Sequence, residues 1–192
     1  MEEVITRQKR KKNKTHRCIM HSAKALFETK DVGRVTVDEI AEKADISRST
    51  FFNHFASIDD LLLELANQEI ADLLDYVKKE KKSGLANIEL LVNKLIEDIY
   101  AYPSLSMFLL TNNILNNKNQ SCAQIVDIIK ADLTSANTTV DNFDTEELTA
   151  LILGAIFGLL NKKFIEDSPF NDMNQTKSTI RKVLHLLESK ED

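Results

Sequence analysis

The stretch ADISRSTFFNHFASIDDL, residues 44–61, holds the side chains of this chain best suited to recognition chemistry. On a helix turning about 100° per residue from Arg48, Ser49 and Asn53 project near 100° and 140°, while Phe51 and Phe55 project near 300° and 340°. One side can bury; the other offers a hydroxyl and an amide. Those groups suit the edges of bases in a DNA groove, where an amide pairs with adenine and a hydroxyl accepts several partners. Arg48, at the helix start, suits guanine or a phosphate, and Thr50 adds a hydroxyl for phosphate. His54, near 240°, lies at the side of that face, where phosphate contact and packing are both open.

Other chemistries find less support. Asp59/Asp60 and Glu146/Glu147 are carboxylate pairs, but neighbours on a helix diverge by about 100°, so solvated faces or helix-start charges are expected. No nucleophile, base and orienting group stand together, and an enzyme is not expected. Cys18 and Cys122 form no paired spacing, the four histidines are scattered, and neither a metal nor another cofactor is expected. Unpaired cysteines and a charged N-terminus without an apolar segment fit a cytoplasmic protein. Leu148–Asn161 is uncharged but only 14 residues long, short of the roughly 20 needed for a membrane span.

The elements that must position the 44–61 stretch are legible on either side of it. Ile19, Ala23, Leu26 and Phe27 share one face of a helix expected over Lys14–Lys30. Thr36 followed by Glu39 reads as a capping box opening VDEIAEKA, whose inner face is Val37, Ile40, Ala41 and Ala44. Asp45 and Ile46 break that pattern and Ser47 can cap SRSTFFNHF, giving two short helices joined by a tight turn, which is helix-turn-helix spacing. Thr36 and Ser47 also stand where helix N-termini present N–H groups to phosphate. Ser57 then caps a long helix carrying Ile58, Leu61, Leu62, Leu65, Ile70, Leu73, Leu74 and Val77, with Gly84 as its expected stop.

Charge divides along the same line. Residues 1–57 hold 12 Lys/Arg against 8 Asp/Glu, while residues 58–192 hold 13 against 22. The N-terminal excess sits in Arg7, Lys9, Arg10, Lys11, Lys12, Lys14 and Arg17, a basic arm of the kind that neutralises phosphates or stays as a solvated tail.

Beyond Gly84, helical periodicity recurs over Ala86–Tyr100, Ser104–Leu115, Ser121–Leu133, Thr145–Ile165 and Asn174–Ser189, separated by Pro103 and by the loop-forming runs NNKNQ and NTTVDNF. Only six of 192 residues are Pro or Gly, and 43% are hydrophobic. An all-α chain of about nine helices is expected, with a DNA-binding domain at 1–57, a linking helix at 58–83 and a second helical domain at 84–192. Gly154 and Gly158 fall inside the penultimate helix, where each costs about 1 kcal/mol against alanine, so a neighbouring helix backbone is expected to approach them.

In four blocks, IMHSAKALF, TVDEIAEKA, SRSTFFNHF and DDLLLEL, residues 17–65 resemble the DNA-binding domain of TetR/AcrR transcriptional regulators. The resemblance implies a three-helix helix-turn-helix domain linked by a long fourth helix to a C-terminal domain for ligand binding and dimerisation. It implies a homodimer built through the last two helices, here Gly154, Gly158, Ile180, Val183, Leu184 and Leu187, reading a palindromic double-stranded operator. It also implies a small-molecule effector, for which Tyr100, Tyr102, Phe108, Cys122 and Phe157 are the candidate lining, although aromatic stripes on helices are more often core. Arg17, Thr36, Ser47, Arg48, Ser49, Thr50, Phe52, Asn53 and His54 are the candidate DNA contacts.

Four positions depart from that family's pattern. Asp31 and Asp45 stand where glycine is usual, and aspartate tolerates the left-handed conformation better than most residues. Phe52 stands for a tyrosine and Ile58 for a lysine, both of which contact phosphates in the family. The basic arm offers a replacement for the missing charge. The leading expectation is a ligand-released homodimeric repressor; the alternative is a constitutive DNA-bound platform for another protein, without an inducer.

Overall fold

A computed structural model describes residues 7–116, 120–136, 143–165 and 172–186, with side chains described except at 110–122 and 160–165. The described residues form nine α-helices and one short 3-10 turn. The helices are α1 (Arg7–Phe27), α2 (Val37–Lys43), α3 (Arg48–Phe52), α4 (Ile58–Glu80), α5 (Leu85–Ala101), α6 (Pro103–Asn116), α7 (Gln120–Ser135), α8 (Thr145–Ile165) and α9 (Met173–His185).

Two compact units divide the chain, one comprising Met1–Glu69 with Tyr102–Leu115, the other Ile70–Ala101 with Asn116–Asp192. The expected 84–192 module is therefore interrupted. Leu105 of α6 belongs to the buried cluster of the first unit, and Tyr102, Phe108 and Leu109 pack against it.

In the first unit, Ile19, Ala23 and Phe27 recur every four residues along α1 and are fully buried. They meet Ile40 of α2, Phe51 of α3 and Leu61 and Leu65 of α4 in one cluster. A buried phenylalanine such as Phe27 is worth about 3–5 kcal/mol against alanine. The helix begins at Arg7 and not at Lys14, so the basic arm is its first turns. Lys, Arg and Gln are good helix formers, and the apolar half anchored in the core supplies the nucleus from which the polar half propagates.

The turns follow the side chains. Thr36 accepts from the Glu39 N–H at 3.3 Å while the Thr36 N–H donates to Glu39 Oε2 at 2.9 Å, a complete capping box. After α2, the Asp45 N–H donates to the Glu42 carbonyl and the Ile46 N–H to that of Ala41, with Asp45 at φ 52°. This is a Schellman ending in which aspartate holds the left-handed position usually given to glycine. Asp31 behaves otherwise: its φ is −53°, and its carboxylate accepts from the Gly33 N–H to open the 3-10 turn Val32–Arg34. No left-handed residue is needed there.

Ser57 Oγ accepts from the Asp60 N–H at 3.0 Å and starts α4. That helix stops at Glu80, with Lys81 at φ 51°, and not at Gly84. Gly84, at φ 61°, instead opens α5 and accepts from the N–H groups of Asn87 and Ile88.

In the second unit α5 packs against α7 and α9, and α8 against α7 and α9. Ile88, Leu91, Val92, Ile96 and Ile129 are fully buried there. Tyr100 bonds Thr176 at 2.7 Å, and the ion pairs Glu97–Lys177 and Glu89–Arg181 join α5 to α9. Glu147 closes a capping box with Asp144 at the start of α8, the helix-start role expected of the Glu146/Glu147 pair.

Gly154 and Gly158 are exposed, and a Cβ added to either meets nothing within 4 Å. The expected close helix approach is absent within the described residues of this chain. Among those residues no helix is long and apolar enough to cross a membrane.

Candidate nucleic-acid interface

The helix-turn-helix places α3 by burying Phe51 and Phe55 completely or nearly so, at 0% and 3% exposure, which fixes the opposite side outward. Ser49 and Asn53 are exposed, as the helical phase requires. Phe52 is 45% exposed, its ring edge-on to that of Phe51 at 5.5 Å. An apolar ring thus stands among polar groups, able to meet a sugar or a thymine methyl.

Ser47 organises the helix start: its Oγ accepts from the Thr50 N–H at 3.1 Å and lies 2.9 Å from Ser49 Oγ and 2.8 Å from Thr50 Oγ1. The three hydroxyls form a connected group. Thr36 is engaged in its capping box. Arg48 donates to Asp38 Oδ2 at 2.6 Å and lies 5.4 Å above the Phe52 ring, so in the free chain its charge is already matched. Arg17 is exposed on α1.

His54 is half-buried, and its Nδ1 lies 3.4 Å from that of His16. His16 stacks on Phe55 at 4.6 Å and donates to Glu64 Oε1 at 2.6 Å. Burial, followed by the charges of His16 and Lys12, lowers the His54 pKa from its ordinary 6.5.

Beside this pair a cleft of about 490 Å³ opens, lined by Gln8, Lys11, Lys12 and Thr15 of α1, by Thr50 of α3, and by Asn53 and His54. Asn53 and His54 cap and follow α3, which ends at Phe52 and does not run to Phe55 as SRSTFFNHF led one to expect. Gln8, Thr15 and His16 were missed by sequence reasoning. Their signal was the spacing 8, 11, 12, 15, 16, which places them on one stripe once the helix is carried back to Arg7.

This surface is a helix-turn-helix with its second helix bare, flanked by a basic helical segment. Residues 19–65 match the family model described as bacterial regulatory proteins, tetR family. Those residues are similar to the DNA-binding domain of that family. Within 52 residues the chain is 31% identical to the uncharacterized HTH-type transcriptional regulator YxbF of Bacillus subtilis strain 168, a match covering 27% of this chain and 14% of that protein's length.

The whole fold is similar to that of solved TetR-type regulators. The fatty acid degradation regulator FadR from Bacillus halodurans superimposes with a TM-score of 0.74 at 16% identity, covering 92% of this chain and 96% of that one. FadR from Bacillus subtilis, solved in complex with stearoyl-CoA, gives 0.69 at 18% identity, covering 92% and 99%. At such identities the likeness is one of fold.

The remaining candidate residues of this chain do not converge. Tyr102 and Phe108 lie in the first unit, Tyr102 beneath the Lys24 ammonium at 4.4 Å, whereas Tyr100 and Phe157 are half-buried in the second. The Cys122 side chain and Leu187 lie outside the described residues. Ile180 and Leu184, at 2% and 5% exposure, belong to the second unit's own core and present no free surface. Val183 is half-buried.

The second unit has a different opening that the sequence reading did not foresee. A cleft of about 600 Å³ runs along the end of α4 and α7, with Leu74, Val77 and Ile128 as apolar lining and Lys78, Lys81 and Lys82 as cations. Asn87 also lines it. Its amide donates to the buried Asp132 at 2.7 Å, and its Oδ1 is buried without a partner. Among the described residues no three His, Cys, Asp or Glu side chains converge on a metal-sized site.

Proposed function

We propose that this chain is a homodimeric transcriptional repressor that leaves its operator when a small molecule binds the C-terminal unit. The observation that carries DNA binding is α3 itself, with Ser49, Phe52 and Asn53 outward beside the cleft lined by Lys11 and Lys12. Ser49 and Asn53 read base edges, Phe52 meets sugar or a thymine methyl, and the basic turns of α1 supply the phosphate charge that Ile58 does not.

Dimerisation is supported by α8. Leu148, Ile152 and Ile156 face its own bundle, while Leu151, 51% exposed, shares the other side with exposed Gly154 and Gly158. A helix apolar on both sides asks for a second partner. A two-fold dimer then presents two α3 helices to half-sites about 34 Å apart.

For the effector, the cleft of Leu74, Val77 and Ile128, lined by three lysines against the single carboxylate of Asp127, suits a molecule with an apolar part and an anionic part. The FadR structure with stearoyl-CoA gives an example of such an amphiphile on the same fold. Release requires only that the effector favour the non-operator state, by about 1–3 kcal/mol of coupling.

Selection of bound fragments from random DNA tests the reading. A palindromic consensus is expected; absence of enrichment at every salt concentration overturns it. Titrating the selected duplex complex with acyl-CoA thioesters then separates a ligand-released repressor from a constitutive DNA-bound platform, which would be indifferent to them.

A further inference from the structure

The cleft between α1 and α3 combines cations with a histidine pair whose protonation is constrained by its partners. Glu64 of α4 can only accept, so His16 carries its proton on Nε2, 2.6 Å away. When the His16 ring is neutral its Nδ1 can only accept, and His54 Nδ1 then donates to it across 3.4 Å. That leaves His54 Nε2 as the unprotonated nitrogen. A proton added there leaves the His54–His16 contact in place and gives the His54 ring a full positive charge and a second donor.

We propose that a DNA backbone phosphate seats in this cleft and that His54 takes up a proton as it does so, making DNA binding proton-linked. The proposal rests on the reading that this domain binds DNA. In the free chain the groups facing His54 disfavour its charge. Burial acts against it first, then His16 when protonated and Lys12 on α1; Lys11 lines the same cleft, Thr50 on α3 and Asn53 at its C-cap are neutral, and Glu64 on α4 is engaged with His16. A phosphate between the lysines and His54 reverses the balance, because an opposite charge at close range favours the cationic ring. Thr15 and Thr50 line the same cleft, the Thr15 hydroxyl donating to the Lys11 carbonyl at 3.2 Å and that of Thr50 lying 2.8 Å from Ser47 Oγ. Binding that takes up one proton strengthens by up to about ten-fold per pH unit as pH falls.

The experiment uses the full chain and a mixed-sequence duplex of about 30 base pairs at low salt, since phosphate contacts are independent of sequence. Affinity is measured between about pH 8 and pH 6, and the protons taken up are counted by calorimetry in two buffers of different ionisation heat. The wild-type chain is expected to tighten as pH falls and to absorb a fraction of a proton. H54Q should lose both effects, and H21Q, on the exposed side of α1, should keep them.

If H54Q does not fold, NMR titration of the wild-type His54 ring with and without the duplex decides the matter. Its midpoint should rise in the complex. Binding that is indifferent to pH, an H54Q that retains the wild-type dependence, or an unmoved ring midpoint overturns the proposal and leaves DNA binding intact. No binding at any pH or salt overturns both.

Discussion

Arg48 and Asp38 are joined across the helix-turn-helix by a 2.6 Å ion pair, so the arginine nearest the outward face of α3 is neutralised within its own domain. Both side chains are more than half exposed, at 57% and 68%, and such a pair contributes between zero and about 1 kcal/mol to stability. Its weight falls on recognition. D38N should leave the denaturation midpoint almost unchanged while raising affinity for DNA and steepening its salt dependence by about one counterion. Anisotropy titrations across a salt series measure both; an unchanged slope would show that Arg48 stays away from phosphate.

The basic turns of α1 should act through charge and not through fold. K11Q, K12Q and K14Q lie on exposed positions and should not disturb the core. Together they should weaken binding to any duplex and lower the salt slope by about 0.9 for each phosphate that is no longer neutralised. A triple variant with the wild-type slope would place the phosphates elsewhere.

Glu39 links the capping box to acid stability. The Lys30 ammonium first, then the Thr36 N–H and hydroxyl, lower its pKa from 4.5 to about 2. A depressed carboxylate stabilises the native state above its unfolded pKa and loses that contribution as pH falls through the folded value. The wild-type chain should therefore lose stability between pH 4.5 and about 2 in a part that E39Q lacks. Urea midpoints of the two proteins at pH 6 and in that window make the comparison; parallel curves would refute it.

Three glycines should respond to alanine in opposite directions. At Gly84, φ is +61° and a Cβ would stand 3.2 Å from that of Ala136, so G84A should destabilise by about 1–2 kcal/mol. At Gly154 and Gly158 there is open space on a helix, and alanine should stabilise the subunit by up to about 1 kcal/mol. If α8 is the dimer face, the same substitutions should weaken self-association. Denaturation and sedimentation on one set of variants separate the two effects, and an unaffected dimer would move the interface off that stripe.

The sequence was most legible where local chemistry and burial agree. Thr36 with Glu39, Ser47 before Thr50 and Ser57 before Asp60 mark helix starts through bonds made within three residues, and each forms. The facing of α3 followed from periodicity alone, because Phe51 and Phe55 have only one way to be buried. Reading failed where long-range contacts decide. The start of α1 was placed too late because charged residues carry no apolar stripe, although they propagate a helix well. Lys81, at φ 51°, follows the end of α4 where Gly84 was the expected stop, and no residue type announces that shift. Tyr102 and Phe108 joined the first unit through α6, a packing choice invisible in helical phase. The pairing of His16 with His54 spans 38 positions and has no local signature.

Because α1 is already helical from Arg7, its basic turns have given up their backbone freedom before any DNA arrives. Ordering a tail would cost about 1–2 kcal/mol per residue at the moment of binding. Here that cost falls within folding of the free chain, where Ile19, Ala23 and Phe27 anchor the same helix. On the proposed reading, encounter with DNA is the docking of a preformed rod, and its heat-capacity change should reflect buried surface without the large excess that accompanies coupled folding.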